Sequence, residues 1–210
     1  MPDLLRSAGG DAVARVGRLW GSALRAMHTH AVVAANPRPP RTLTRACVWA
    51  TGQWPGVHEV IGDDGHAALR GWIADVRGPV KPVVVHGSPG MAHWTVAPDG
   101  SQAALLTGED AGVADASYDT AWVLGELAEI FHFYPSAREG IVRLRQGFEE
   151  GYGALPDPDR IHIGIAFRLI QHAYDWHHYA GASPAEAGLL VRLAGTYLRT
   201  APRRRGGQFL

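Results

Sequence analysis

Apolar side chains in the second half of the chain recur at helical spacing, and prolines fall where that spacing is interrupted. Pro135, Pro156, Pro158 and Pro184 mark the interruptions, two of them near the start of a new periodic segment. Proline cannot continue a helix, but it is favoured in the first turn of one. The pattern therefore predicts four helices, over residues 117–133, 136–151, 159–180 and 184–199.

The first half of the chain contains two more segments with a helical pattern. Over residues 11–30, apolar side chains fall on one helical face and arginines lie elsewhere. A proline-rich loop at residues 36–40 ends this helix, and a less regular segment with Trp49 and Trp54 follows. A second helix is predicted over residues 65–76.

Short apolar runs between these helical segments indicate strands. The runs are residues 82–86, 94–96 and 103–106, and a Pro-Asp-Gly turn at residues 98–100 separates the last two. We expect the three runs to form one small hairpin capped by loops. The predicted fold class is mainly α with a small β hairpin, built as a single domain over residues 1–202 with a basic tail at 203–210.

Composition excludes several function classes. The chain has 210 residues and equal numbers of basic and acidic side chains, 20 of each, which argues against a nucleic-acid partner. A single cysteine, Cys47, excludes an intramolecular disulfide and a cysteine-rich zinc site. No secretory signal and no long apolar run is apparent, so we expect a cytoplasmic protein with no membrane partner.

One continuous segment resembles a known family. Residues 83–96 read V-V-V-H-G-S-P-G-M-A-H-W-T-V, residues 105–110 read L-L-T-G-E-D, and residues 114–121 read A-D-A-S-Y-D-T-A. In order and spacing this is similar to the aminoglycoside phosphotransferases, small-molecule relatives of protein kinases. They typically read V-x-V-H-G-D-x-H-x-x-N-x-L-V, then a D-G turn, then L-I-D-W, then G-D-P-x-x-D-L-A. The resemblance implies the C-terminal, helical lobe of a kinase-like fold, over about residues 11–200.

The residues that the family uses for phosphoryl transfer are changed in this chain. Ser88 stands where the family has the aspartate that orients or deprotonates the attacking hydroxyl. His93 stands in place of a metal-binding asparagine, and Thr107 in place of a metal-binding aspartate. Serine cannot act as a base at neutral pH without an activator, and Mg²⁺ prefers carboxylate oxygens. By this comparison all three positions have lost their chemistry.

The nucleotide-binding lobe of the family also has no counterpart in the sequence. That lobe carries a lysine that pairs the phosphates, whereas the only lysine here, Lys81, immediately precedes the first predicted strand. No glycine-rich phosphate loop precedes it. The resemblance does retain two architectural residues, His86 and Asp119, of which the aspartate is expected to cap the following helix and to tie the loop backbone. We therefore expect neither ATP nor another cofactor.

The remaining groove contains candidates for other chemistry. Ser88 and His93 share one loop, and Glu109 and Asp110 follow a neighbouring strand. A serine, a histidine and a carboxylate suggest nucleophilic catalysis, although the G-x-S-x-G elbow is missing. In the simpler interpretation, Ser88 is a small loop residue and His93 donates a hydrogen bond that stabilises the loop. A third interpretation claims less than nucleophilic catalysis: His93 forms an acid–base pair in a cleft with Glu109 or Asp110.

Histidines and tryptophans offer two further interpretations. His172, Asp175, His177 and His178 lie on one predicted helix, but they lack H-E-x-x-H spacing, and we predict no metal. Trp49, Trp54 and Trp72 precede the loop and are candidates to wall the face that a missing lobe would expose. Either residues 36–80 or a partner, an enzyme or a second copy, is then expected to cover that face.

Two functions follow from the resemblance. Degenerate phosphotransferase-like proteins occur in bacterial pathways that modify ribosomally made peptides, and some form thioethers. This chain is accordingly expected to modify a ribosomal peptide or another specialised metabolite, with His93, Glu109 and Asp110 as acid–base candidates for a cyclase. The alternative is a non-catalytic pseudokinase subunit that binds a peptide, a small molecule or a partner enzyme.

Overall fold

A computed structural model describes residues 10–30, 38–50, 52, 54–97 and 101–200. The predicted turn at 98–100, the first part of the predicted loop, at 36–37, and the predicted tail at 203–210 lie outside the described residues. The helices are Gly10–His28 (α1), Arg41–Ala50 (α2), Pro55–Arg77 (α3), Ser117–Phe133 (α4), Arg138–Tyr152 (α5), Pro158–Tyr179 (α6) and Pro184–Thr200 (α7). The strands are Val83–Val85 (β1), Trp94–Val96 (β2), Ala103–Leu105 (β3) and Gly112–Ala114 (β4).

The four helices predicted in the second half are confirmed, with bounds that shift by one or two residues at most. Two corrections concern the first half. The helix predicted at 65–76 begins earlier, at Pro55. Two helical segments meet at Gly62, whose φ of 67° is not helical, and the sequence pattern does not connect them. The segment read as irregular contains α2. No helix within the described residues is both long and apolar enough to cross a lipid bilayer.

The strands form two antiparallel pairs instead of one hairpin. β2 pairs with β3, with Trp94 opposite Leu105, as the sequence indicates. β1 pairs instead with β4, which was not predicted, and Val84 lies opposite Val113. The β2–β3 pair is thus enclosed, in chain order, between the two strands of the outer pair. This arrangement brings the loop after β1 beside the segment that joins β3 to β4.

Buried apolar side chains from helices and strands form one cluster. Trp49 is fully buried in it, and its Nε1 donates to Gln171 Oε1 over 2.9 Å. Trp72 is buried as well, beside Phe167. Trp54 is partly buried and stacks on His177. Trp49 and Trp72 therefore belong to the core and do not wall an open face.

Helices α1 and α5 cross at very close range along glycines. A Cβ placed on Gly17 would lie 2.2 Å from the Leu144 carbonyl oxygen, and one on Gly147 would lie 2.0 Å from that of Ala14. One turn further along, Gly21 and Gly151 repeat the same reciprocal contact. Backbones approach this closely only where side chains are absent. The crossing fixes α1, and with it His28, against the rest of the molecule.

Candidate functional site

One buried carboxylate holds the backbone of the loop after β1. Asp119 is fully buried in the first turn of α4. Its Oδ2 accepts from the His86 backbone N–H over 2.7 Å, and its Oδ1 accepts from the Gly87 N–H over 3.0 Å. The expected tie to the loop backbone is therefore present. The expected helix cap is not, because Asp119 lies inside the helix and it is Asp115 that accepts from the Ser117 N–H over 2.9 Å.

A histidine and a tyrosine support Asp119 from the opposite side. His28 Nε2 lies 3.1 Å from Asp119 Oδ2, and His28 Nδ1 lies 2.8 Å from the Tyr152 hydroxyl. Burial, together with the negative charge of Asp119, raises the pKa of the Tyr152 hydroxyl. A carboxylate, an imidazole and a hydroxyl in a row have the order of a nucleophilic triad. Because the tyrosine is buried and stays protonated, this row is a support for the loop and not a nucleophile.

His86 is fixed as one tautomer by two hydrogen bonds. Its Nε2 donates to the Leu106 carbonyl oxygen over 2.8 Å, and its Nδ1 accepts from the Ser88 backbone N–H over 3.3 Å. A ring that accepts at Nδ1 and donates at Nε2 is neutral. His86 therefore joins the loop to the end of β3, which is an architectural role.

Ser88 and Asp110 lie in direct contact. The Ser88 hydroxyl donates to Asp110 Oδ2 over 2.9 Å. The approach depends on Gly87, whose φ of 91° and missing side chain leave room for the Asp110 carbonyl group, 2.0 Å from where a Cβ would stand. The other carboxylate oxygen, Oδ1, lies 3.8 Å from the Arg45 guanidinium. The structure thus places one partly buried carboxylate within hydrogen-bond distance of Ser88.

The other two acid–base candidates have different surroundings. Glu109 is exposed and forms an ion pair with Arg41. The His93 ring lies beside His86, with 5.5 Å between ring centroids, and its Nδ1 is buried without a hydrogen-bond partner in the described part of the chain. No hydrogen bond among the described residues joins Ser88 to His93. A serine–histidine–carboxylate relay is therefore not assembled in this structure.

Helix α2 covers the loop with residues that sequence reasoning missed. Thr42 Oγ1 donates to the Gly87 carbonyl oxygen over 2.9 Å and accepts from the Tyr118 hydroxyl. Burial raises the pKa of Tyr118 well above its ordinary value, so the phenol remains the donor. Arg41 and Arg45, one turn apart on α2, face Glu109 and Asp110. The i, i+4 spacing of these two arginines is the sequence signal that could have identified this face of α2.

A second carboxylate holds the far end of the loop. Glu126, on α4, accepts from the Met91 backbone N–H over 2.8 Å through its Oε2. A Cβ placed on Gly90 would lie 3.0 Å from the same oxygen. Glu126 therefore fixes the turn that leads to His93, and nothing in the sequence pattern singled it out.

The magnesium that a phosphotransferase requires does not fit these residues. At the family's metal positions, Thr107 is exposed and His93 offers nitrogen where Mg²⁺ prefers oxygen. Asp110 already lies near a guanidinium, whose positive charge disfavours a neighbouring cation. Lys81 is exposed, ahead of β1.

The histidine-rich segment of α6 is occupied by other contacts. His172 Nδ1 lies 2.8 Å from Glu129 Oε2, and Asp175 Oδ1 accepts from the Gln171 amide over 2.9 Å. His177 and His178 direct their Nδ1 atoms to backbone carbonyl oxygens. Across the residues described by the structure, no three metal-ligating side chains cluster where they would hold an ion.

Comparison with protein-family models and with curated proteins finds no match. The resemblance to the phosphotransferases therefore rests on the sequence of this chain alone.

Proposed function

We propose that this chain is a kinase-like C-lobe of the aminoglycoside phosphotransferase type that no longer transfers phosphate. Two observations support the fold assignment: Asp119 holds the backbone of His86 and Gly87, and the β2–β3 pair is enclosed within the β1–β4 pair. The changes at Ser88, His93 and Thr107 support the loss of phosphoryl transfer. The proposal places the protein in the cytoplasm, as the sequence predicts.

The remaining chemistry that we propose is acid–base catalysis by Asp110 on a bound peptide or small molecule. The observation that carries it is the hydrogen bond between Ser88 and Asp110. It places a carboxylate beside the loop residue that replaces the family's aspartate. Asp110 is favoured over Glu109 because Asp110 is partly buried and accepts a hydrogen bond from Ser88, whereas Glu109 is exposed to solvent. Ser88 acts as a positioning residue, because its hydroxyl hydrogen is committed to Asp110.

Thioether formation is the specific reaction that we propose for this centre. Asp110 accepts the proton of a cysteine thiol, and the thiolate adds to the β-carbon of a dehydroamino acid. The C=C π bond breaks as the C–S bond forms, and the α-carbon receives the proton back from the Asp110 carboxyl group. The step is an isomerisation and needs no oxidant, reductant or nucleotide.

A second candidate function, a non-catalytic pseudokinase subunit, is favoured by the position of α2. Arg41, Thr42 and Arg45 contact the loop and its neighbours, and so the chain partly covers its own groove. A protein of this kind would present a substrate to a partner enzyme, or associate with a second copy, without chemistry of its own.

The test uses a dehydrated precursor peptide that carries cysteine. Cyclisation leaves its mass unchanged, so free thiols are counted by the mass added on alkylation with iodoacetamide. We expect the wild-type chain and Glu109→Gln to remove thiols, and Asp110→Asn to lose at least tenfold in rate while it stays folded by circular dichroism. Binding of the peptide with no loss of thiols would favour the pseudokinase subunit.

Calorimetric titration with magnesium–ATP separates both functions from a kinase. We expect no saturable heat, because no residue set at the loop fits the metal. Saturable binding of magnesium–ATP would contradict the proposal and require a phosphate site of another kind.

A further inference from the structure

A small cavity of about 210 Å³ lies where α4, α6 and α7 meet, and none of its lining residues belongs to the loop after β1. Three aromatic side chains line it: Phe133 at the end of α4, Tyr134 just after it, and Trp176 on α6. Leu189 and Leu190 from α7 complete its apolar wall. Sites for drug-sized ligands begin at about 300 Å³, so this cavity suits a smaller group.

The aromatic wall of the cavity is open to solvent. Tyr134 is 60% exposed and Trp176 is 37% exposed. Of the seven large apolar side chains that are exposed in the described part of the chain, three line this one cavity: Tyr134, Trp176 and Leu189. The His172 ring stacks on Trp176, with 6.1 Å between ring centroids, and thereby orients the indole. Exposed apolar side chains gathered around a cavity mark an interaction site.

The polar part of the lining is negatively charged. It consists of Glu129 and Glu186, and no basic side chain among the described residues lines the cavity. Oε2 of Glu129 accepts from Arg168 and lies 2.8 Å from His172 Nδ1, whereas its Oε1 accepts no hydrogen bond from any residue that the structure describes. Because Arg168 offsets only one of the two carboxylates, the cavity keeps a net negative charge.

Aromatic faces together with a carboxylate oxygen that has no donor are the features that recognise an organic cation. An ammonium group is attracted to the faces of tryptophan and tyrosine rings. It also donates hydrogen bonds to a carboxylate, while its alkyl stem packs on apolar side chains such as Leu189. An anion would be repelled by Glu129, and a neutral apolar group would leave Oε1 without a donor. We infer that this cavity binds a primary alkylammonium group, which donates to Glu129 Oε1 and contacts Trp176 and Tyr134.

The test titrates the full chain, labelled in its tryptophan indole N–H groups, with n-butylammonium and follows the indole signals by NMR. Trp176→Phe identifies the signal of Trp176. We expect that signal to shift saturably, and n-butanol, which has the same stem without the charge, to bind several-fold more weakly. N-acetyl-lysine methylamide is the second probe. Tighter binding than that of n-butylammonium would assign the ammonium group to a lysine in a peptide, and equal or weaker binding would assign it to a free amine.

Two variants with matched controls test the residues of the cavity. Tyr134→Leu removes an exposed ring and is expected to weaken n-butylammonium binding several-fold, whereas Tyr179→Leu removes an exposed ring on α6 outside the cavity lining and is expected to leave it unchanged. Glu129→Gln, checked for folding by circular dichroism, is expected to weaken binding as well, and Glu150→Gln on α5 is its control.

The tyrosine pair keeps the inference open to test even if Glu129→Gln does not fold. A Trp176 signal that n-butylammonium does not move would overturn the inference. Equal affinity for n-butanol would do the same, as would equal affinity of a folded variant and its control in either pair.

Discussion

Ser88 donates a hydrogen bond of 2.9 Å to Asp110 across 22 positions of the chain. Serine stands where the phosphotransferases that the sequence resembles have a carboxylate. In this chain a carboxylate reaches the loop from the segment between β3 and β4. A single carboxylate therefore lies at the loop here, as in the phosphotransferase pattern. In this chain, however, the Arg45 guanidinium lies 3.8 Å from that carboxylate, on Asp110. A charge beside a guanidinium suits proton transfer or a structural ion pair better than the binding of Mg²⁺.

This contact predicts an order of stability among variants of Ser88. Ser88→Ala leaves Asp110 without its donor and is expected to cost about 1–2 kcal/mol, since hydrogen bonds to charged groups contribute about that much when partly exposed. Ser88→Asn keeps a hydrogen-bond donor at this position. Ser88→Asp introduces a side chain of the same shape as asparagine, but it places a second carboxylate against Asp110. Urea unfolding at pH 7 is expected to rank Ser88→Asp below Ser88→Asn. Equal stability of these two would mean that the residue at 88 does not face Asp110 in solution.

Asp119→Asn is expected to destabilise the chain by about 3 kcal/mol, although the side chains have the same shape. Both oxygens of Asp119 accept from backbone N–H groups, so either orientation of an asparagine amide points its NH₂ at a donor. Breaking a buried charged contact of this kind costs about 3–5 kcal/mol.

Urea unfolding measures this loss, and Glu109→Gln serves as its control. Glu109 is an exposed partner of Arg41, and its removal is expected to change the free energy of unfolding by less than about 0.5 kcal/mol. A loss of similar size in the two variants would contradict the role assigned to Asp119.

The sequence predicts the helices well because their signal is local. Apolar periodicity and proline positions define α4 to α7, and α1 has the same pattern. Pairing of β1 with β4 is not local, and Gly112–Ala114 is too short for an alternating pattern to be recognised. Helix α2 had a signal that was missed: its buried Leu43, Ala46 and Trp49 recur every three residues.

The site is predicted only as far as the resemblance extends. It identified His86 and Ser88 on one loop, and a tie from Asp119 to the backbone of that loop. Thr42 and Arg45 reach the loop from a separate helix. The i, i+4 spacing of Arg41 and Arg45 indicates a shared helical face, but it does not indicate which part of the chain that face contacts. The contact between Ser88 and Asp110 likewise depends on the pairing of β1 with β4, which tertiary structure alone reveals.

Glu129 is expected to make folding stability depend on pH in the acid range. Burial alone would raise its pKa, but the Arg168 guanidinium and the His172 hydrogen bond outweigh burial and lower the pKa from 4.5 to about 2. Since the pKa is lower in the folded chain, the contribution is complete above pH 4.5 and is lost as pH falls from 4.5 to 2. The shift corresponds to about 3 kcal/mol for this mostly buried group.

The measurement is urea unfolding of the wild-type chain and of Glu129→Gln at several pH values. The difference between the two free energies of unfolding is expected to shrink by that amount between pH 5 and pH 2. Glu150→Gln, which removes an exposed carboxylate, is expected to show no such change. A constant difference for Glu129→Gln across this range would contradict the lowered pKa.

The glycine crossing of α1 and α5 predicts opposite effects for the same substitution at two helical glycines. Gly147→Ala places a Cβ 2.0 Å from the Ala14 carbonyl oxygen, and since that oxygen is backbone, the helices must separate. We expect a loss of about 3 kcal/mol or more, at the upper end of overpacking costs. Gly71 lies inside α3 with nothing within 4 Å of such a Cβ, so Gly71→Ala is expected to gain about 0.5–1 kcal/mol from helix propensity. Thermal unfolding of both variants compares them directly, and a Gly147→Ala chain as stable as wild type would mean that α1 does not pack on α5 through these glycines.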